Sequence, residues 1–264
     1  MLKKGIGRFV CLSILIFAYG AYAQDGPQNI VKLATFDYPP LFHTAVNGKP
    51  SGTVVETVKY LCEEGGLTCQ IEVLPFKRAY QKIENNQVDG LITIKVDRFE
   101  KCCLPTQWEM PWVAGFYSYK AWNTIPNTPT EVLGQRLIVV SGMRSPYEFM
   151  PTLNTWDRDG KITLFRANSV KSATKMFLSH RATYLWGSQD FEWYFDKLGG
   201  DLNYRFKPLV VRPIVVWFRK DKKHLLDQMN QAFENLRQQP VFGPNMLLKS
   251  DLMQRRYIDA PFEP

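Results

Sequence analysis

Apolar and polar positions fall along the chain in two blocks with the same rhythm. In the first, Ile30 to Thr35 is a β-prone run that ends in Asp37-Tyr38-Pro39-Pro40, where proline stops a strand. Beyond the Asn47-Gly48-Lys49-Pro50 turn, Val54, Val55, Val58 and Leu61 recur at helical spacing up to a Gly65-Gly66 stop. Gln70 to Leu74 then predicts a strand, Pro75 opens a helix that runs through Ile83, and Val88 to Val96 predicts a buried strand. Strand, helix, strand, helix, strand is the order of an α/β unit built on a mainly parallel sheet.

The rhythm restarts after a stretch of Asn, Thr and Pro residues, Trp122 to Pro129, that is composed like a surface connection. Arg136 to Val140 predicts a strand closed by Ser141-Gly142, Ile162 to Phe165 a second, Val170 to Leu178 a helix, and Thr183 to Trp186 a third strand. Past Pro208 the strand-like run Ile214 to Phe218 precedes a helix from Leu225 to Leu236 and a polar tail. Two similar units and a returning C-terminal segment predict a two-lobed protein with a cleft.

Composition narrows the function classes. Over 264 residues, 45% hydrophobic and 22% charged positions match a packed globular chain and exclude low-complexity or disordered classes. The net charge is +8, but Lys3, Lys4 and Arg8 sit in an acid-free first 23 residues; without them 30 basic residues face 25 acidic ones, a net of +5. No run of five or six basic residues occurs, so no nucleic-acid partner is expected. Those three cations precede the apolar run Phe9 to Ala18, and Ala21-Tyr22-Ala23 then offers a signal-peptidase site, so residues 1–23 read as a signal peptide and the chain as a periplasmic one. An apolar run of ten residues is too short to span ~30 Å of hydrocarbon.

Export permits disulfides, and four cysteines remain beyond the signal: Cys62, Cys69, Cys102 and Cys103. Cys62 and Cys69 bracket a helix end and a glycine turn, which can fold back and bring them within bonding distance, so a bridge is expected. Adjacent Cys102 and Cys103 are free, joined as a vicinal pair, or redox-active. With three histidines, none at ligand spacing from a cysteine, no metal site is expected, and no motif calls for a cofactor.

Several pieces in order, Tyr38-Pro39-Pro40, Gly48-Lys49-Pro50-Ser51-Gly52, Pro75-Phe76-Lys77-Arg78-Ala79-Tyr80, Val88-Asp89-Gly90, Arg98, Val139-Val140-Ser141-Gly142, the segment around Arg181 and Pro213 to Lys220, resemble the family 3 extracellular solute-binding proteins. The Cys62 and Cys69 spacing is also similar to a disulfide of the basic amino acid and histidine receptors in that family. The resemblance implies a type II periplasmic binding protein fold, α/β, with two mixed sheets joined by two crossover strands. Lobe 1 would comprise residues 24–118 and 213–264, lobe 2 residues 119–212. It further implies a monomeric receptor that closes on a small polar, carboxylate-bearing solute such as an amino acid and delivers it to the membrane permease of an ABC transporter. Relatives on this fold also include cyclohexadienyl dehydratases, for which Glu56, Glu109 or Asp190 would be the acid, and ligand sensors not coupled to transport.

The resemblance implies a site made from Tyr38, Arg78, Lys95, Arg98, Arg144, Trp186, Ser188 and Asp190. Tyr38 would cover the ligand from a proline-rich loop. Arg98 matches the arginine that clamps an α-carboxylate, its planar fork suited to two oxygens, or else it pairs locally with Asp97. Lys95 would take its place, since the loop from Asp89 is shorter than the family pattern. Arg78 and Lys77 on a helix start, with Arg144 where the family supplies a threonine, would make a positive mouth. Trp186, in a strand with Tyr184, would face either the cleft or the core. Ser188 aligns nearest the aspartate that holds the α-amino group in amino acid receptors, and Asp190, two residues on, would replace that aspartate or act as a helix N-cap.

Overall fold

The computed structural model describes residues 30–243 and 245–249; the expected signal peptide and its cleavage site lie outside the described residues. The first block folds as β1 (Ile30–Phe36), the short hairpin β2 (His43–Thr44) and β3 (Pro50–Ser51), α1 (Thr53–Glu64), β4 (Thr68–Leu74), α2 (Phe76–Glu84), β5 (Gly90–Ile94), β6 (Cys103–Pro105) and β7 (Met110–Ser118). The second follows as β8 (Arg136–Val140), α3 (Ser145–Phe149), α4 (Leu153–Arg158), β9 (Thr163–Ala167), α5 (Val170–Leu178), β10 (Tyr184–Ser188), α6 (Glu192–Leu198), β11 (Arg205–Arg219) and α7 (Lys223–Arg237).

Helix formation follows the apolar spacing. Val54, Val55, Val58, Leu61 and Cys62 form the buried stripe of α1, and the chain leaves it where the Leu67 N–H returns to the Cys62 carbonyl at 2.8 Å. The Cys62–Cys69 bridge, with Cα atoms 6.0 Å apart, then ties this helix end to β4. In α5 the Ser169 hydroxyl caps the helix by accepting the Ser172 N–H at 3.1 Å.

The strands run in the order β4-β1-β5-β11-β7-β10-β8-β9, with β6 pairing β11. β1 pairs β4 and β5 in parallel, and β8 pairs β9 and β10 in parallel, as expected for two α/β units. Two strands cross between them. β7 pairs β11 antiparallel from Met110 to Ser118, while β11 continues along β5 and β7 continues along β10. These crossovers make one continuous ladder of the two sheets.

Only the last third of β11 is foreseen by its apolar run. Upstream, Arg205, Lys207, Pro208, Arg212 and Pro213 interrupt the pattern, and proline disfavours a strand interior. The structure accommodates them at a register shift between Pro208 and Val210 and by setting Pro213 opposite Pro111, a pair with no N–H on either side. Gly115 is required where the crossovers touch, because a Cβ there would meet the Lys207 carbonyl oxygen. Lys207 is buried and donates to the Ile125 carbonyl at 2.7 Å. The Trp122 to Pro129 connection is therefore fastened to the crossover: Trp122 is exposed as expected, but Ile125 is fully buried.

Candidate functional site

Where the crossovers meet the strand ends, side chains of both sheet halves line a partly open pocket whose free space is about 20 Å3, room for about one water. The first half contributes Phe36 at the end of β1, Tyr38 and Phe42 from the loop that follows, Phe76 and Tyr80 from α2, and Thr93 and Ile94 from β5. Trp112 and Ile214 come from the crossovers, and Met143, Arg144 and Ser145 from the turn between β8 and α3. Gly142 shapes that turn with φ +88°, and its position 3.0 Å from Phe76 Cβ, measured to an added Cβ, leaves no room for a side chain.

The walls are aromatic. Phe36 stacks on Phe76 with ring centroids 4.1 Å apart and meets Phe42 and Tyr80 edge to face at 5.2 and 6.2 Å. Arg144, the one charged lining residue, lays its guanidinium over the Tyr80 ring, 5.6 Å from the centroid. Burial, eased by the Thr93 hydroxyl, pushes the Tyr80 phenol up to about 12, so it stays a neutral donor. Outside Arg144 lies a wider, solvent-open mouth lined by Lys77, Gln81, Glu84, Arg98, Tyr147, Asn154 and Arg166 among others.

The structure brings some expected residues together and separates others. Tyr38 lines the inner cavity, and its hydroxyl bonds to Ser188 Oγ at 2.5 Å across the gap between the sheet halves. Ser188 in turn donates to Asp190 Oδ2 at 2.8 Å and accepts the Asp190 N–H at 3.2 Å. Ser188, not Asp190, is thus the N-cap of the turn that follows β10. Burial, and secondarily the Asp190 charge, holds the Tyr38 phenol well above its ordinary range, while burial raises the Asp190 carboxyl.

Trp186 is fully buried against Phe116 and Phe149, and its indole N–H donates to Ser145 Oγ at 3.0 Å. It positions a cavity residue from behind. Arg98 pairs with Glu84 at the edge of the mouth rather than with Asp97. Lys95 pairs with Glu109 at 2.9 Å and, like exposed Arg78, lines neither space. The positive mouth consists of Lys77, Arg98, Arg144 and Arg166.

The sequence pattern alone does not single out Phe36, Phe42, Phe76, Tyr80, Thr93, Trp112 or Ser145 as site residues. One signal for them was present: Phe76 and Tyr80 lie four apart around Lys77 and Arg78, so one face of α2 carries both rings while the cations take another. Among the described residues, no cluster of three or more His, Cys, Asp or Glu side chains is arranged to hold a metal ion, and no helix is long and apolar enough to cross a membrane. The adjacent sulfurs of Cys102 and Cys103 face one another where β6 begins.

The pocket thus lies where the two α/β halves meet at their crossover strands. The model of the bacterial extracellular solute-binding proteins, family 3, matches residues 31–242. The chain belongs to that family. No curated protein matches it by sequence. Among solved structures, the fold is similar to holo ArgBP from T. maritima, with TM-score 0.63 at 15% identity, covering 86% of this chain and 95% of that one. It is similar also to an ABC uptake transporter substrate-binding protein from Streptococcus pneumoniae with bound histidine, with TM-score 0.66 at 14% identity, covering 86% and 92%. A histidine kinase sensor domain with similarity to periplasmic binding proteins gives TM-score 0.67 at 14% identity, covering 90% and 99%. At such identities these likenesses establish the type II two-lobed fold, and this solute-binding protein shares it.

Proposed function

We propose that this solute-binding protein is a periplasmic receptor that closes on a small carboxylate-bearing solute and delivers it to the permease of an ABC transporter. The observation that carries the reading is the aromatic pocket between the sheet halves, whose single charged lining group is the Arg144 guanidinium. A guanidinium matches a carboxylate with two parallel N–H donors, and apolar walls around it strengthen that pairing. The lobes would be residues 24–118 with 213–264, and 119–212, closing about β7 and β11. Contacts to both lobes favour the closed state over the open one. The amino-acid receptors among the structural neighbours support a solute of this size.

Glu56 pairs with Lys59 at 3.0 Å, Glu109 pairs with Lys95, and neither they nor Asp190 line the cavity. Sensing without transport is a second reading, favoured by the similarity that spans 99% of a kinase sensor domain. A thermal-shift screen of the exported protein against organic acids and amino acids tests the receptor reading. A solute at 100 times its Kd adds about 2.7 kcal/mol, a rise of roughly 5–10 °C for a chain of this size. No shift with any carboxylate would refute it, and co-purification with a permease against a kinase separates the two destinations.

A further inference from the structure

The cavity supplies groups that suit a carboxylate and lacks those that would hold an ammonium. Arg144 donates only. Thr93 Oγ1, in a residue 1% exposed, lines the cavity with the Tyr80 hydroxyl beside it. Ser145 Oγ accepts from the Trp186 indole and retains its own proton to donate. No acidic side chain lines the cavity, and Glu84, which lines the outer mouth, is engaged by Arg98. Ser188 has its hydroxyl committed to Tyr38 and Asp190, and Asp190 stands behind that pair, outside the lining. An ammonium brought into this space would lose its hydration and meet no anion, which disfavours binding strongly.

The walls then set the rest of the solute. Phe36, Phe42, Phe76, Tyr80 and Trp112 offer flat apolar surface, and since the free space between them is about 20 Å3, a solute enters by parting the two halves and replacing their mutual contacts with its own aromatic or branched aliphatic body. An aromatic enclosure also suits a quaternary ammonium, but the Tyr80 face already carries the Arg144 cation, and a second positive charge beside it would be repelled. We infer that the solute is a compact monocarboxylate with an aromatic or bulky apolar body and no ammonium group, an inference that rests on the carboxylate reading above.

Calorimetric titration of the full exported chain with matched pairs tests it: 3-phenylpropionate against L-phenylalanine, 3-indolepropionate against L-tryptophan, and 4-methylpentanoate against L-leucine, with trimethylglycine and 2-phenylethylamine as cationic probes. At least one ammonium-free acid is expected to bind 30-fold or more tightly than its amino acid, a difference of about 2 kcal/mol. That affinity should fall at least tenfold in Phe76→Ala and less in Phe76→Leu, which keeps apolar volume if the alanine variant fails to fold. Equal or tighter binding of any amino acid, or of trimethylglycine, would overturn the inference and leave the carboxylate reading standing. Binding of 2-phenylethylamine with no carboxylate bound would overturn both, and no binding by any acid of the three pairs would overturn the inference.

Discussion

Replacing Tyr38 with Phe removes the hydrogen bond to Ser188 that joins the two sheet halves, and with it the hydroxyl's hydrogen bond to Trp112. Ser188 Oγ keeps Asp190 as its partner. The ring still packs against Phe42, Phe76 and Phe191, with centroids 6.2, 6.4 and 5.8 Å away. What is lost between the halves is the net worth of one intramolecular hydrogen bond, about 0.5–1.5 kcal/mol. Because that bond exists only while the halves are together, the loss falls on closure. The closed-to-open ratio should drop about 2- to 13-fold, and the Kd of a solute that binds the closed form should rise by the same factor. Single-molecule fluorescence transfer with one dye on each half reads the ratio, and calorimetry reads the Kd. Ser188→Ala should act more strongly, since it leaves the buried Tyr38 hydroxyl and Asp190 both short of a partner. A Tyr38→Phe variant with unchanged closed fraction and unchanged Kd, or a Ser188→Ala variant no worse than it, would refute the cross-cleft reasoning.

Other outcomes follow from the same geometry. Arg144→Ala should weaken solute binding 10- to 150-fold, the loss of a charge-assisted pair worth about 1.5–3 kcal/mol, whereas Arg98→Ala, whose partner is the half-exposed Glu84, should change Kd less than about threefold; the reverse order by calorimetry would move the anchor to the mouth. Asp190 has its carboxyl raised by burial, so the neutral form is favoured in the fold. Its contribution is fully present below the ordinary value of 3.8 and is lost as pH rises through the higher folded value. Asp190→Asn should therefore gain stability over the native chain as pH rises from 3 to 7 in urea unfolding, and a pH-independent difference would contradict this. Removing the Cys62–Cys69 bridge by double serine substitution should cost about 2.5 kcal/mol for so short a loop, seen in calorimetry as a drop of roughly 5–10 °C.

Much of the architecture is legible wherever burial follows a single period. β8 and α5 have the bounds their apolar runs predict, and α1 ends at the glycine pair that marks its stop. The crossovers are harder to read because they serve two sheets. β7 carries Pro111 and Gly115 as well as Trp112 and Phe116, and upstream β11 alternates cations with prolines, so neither displays a clean strand pattern. At the site, the sequence points to charged residues, since charge announces chemistry one residue at a time. Arg78 and Lys95 nevertheless line no cavity, while Phe36, Phe76 and Trp112, from three separate elements, converge on one. Which aromatic side chains share a cavity depends on strand order and on helix rotation, and neither is written in local spacing.

A solute in the aromatic pocket would rest its carboxylate on Arg144. A crystal structure of the protein with the tightest-binding acid from the matched pairs tests this most directly. Carboxylate oxygens are expected within hydrogen-bond distance of the Arg144 guanidinium and of the Thr93 or Ser145 hydroxyl, with the apolar body against Phe36, Phe76 and Trp112. A solute held in the outer mouth by Arg98 or Arg166, with the inner cavity collapsed and Arg144 untouched, would contradict it.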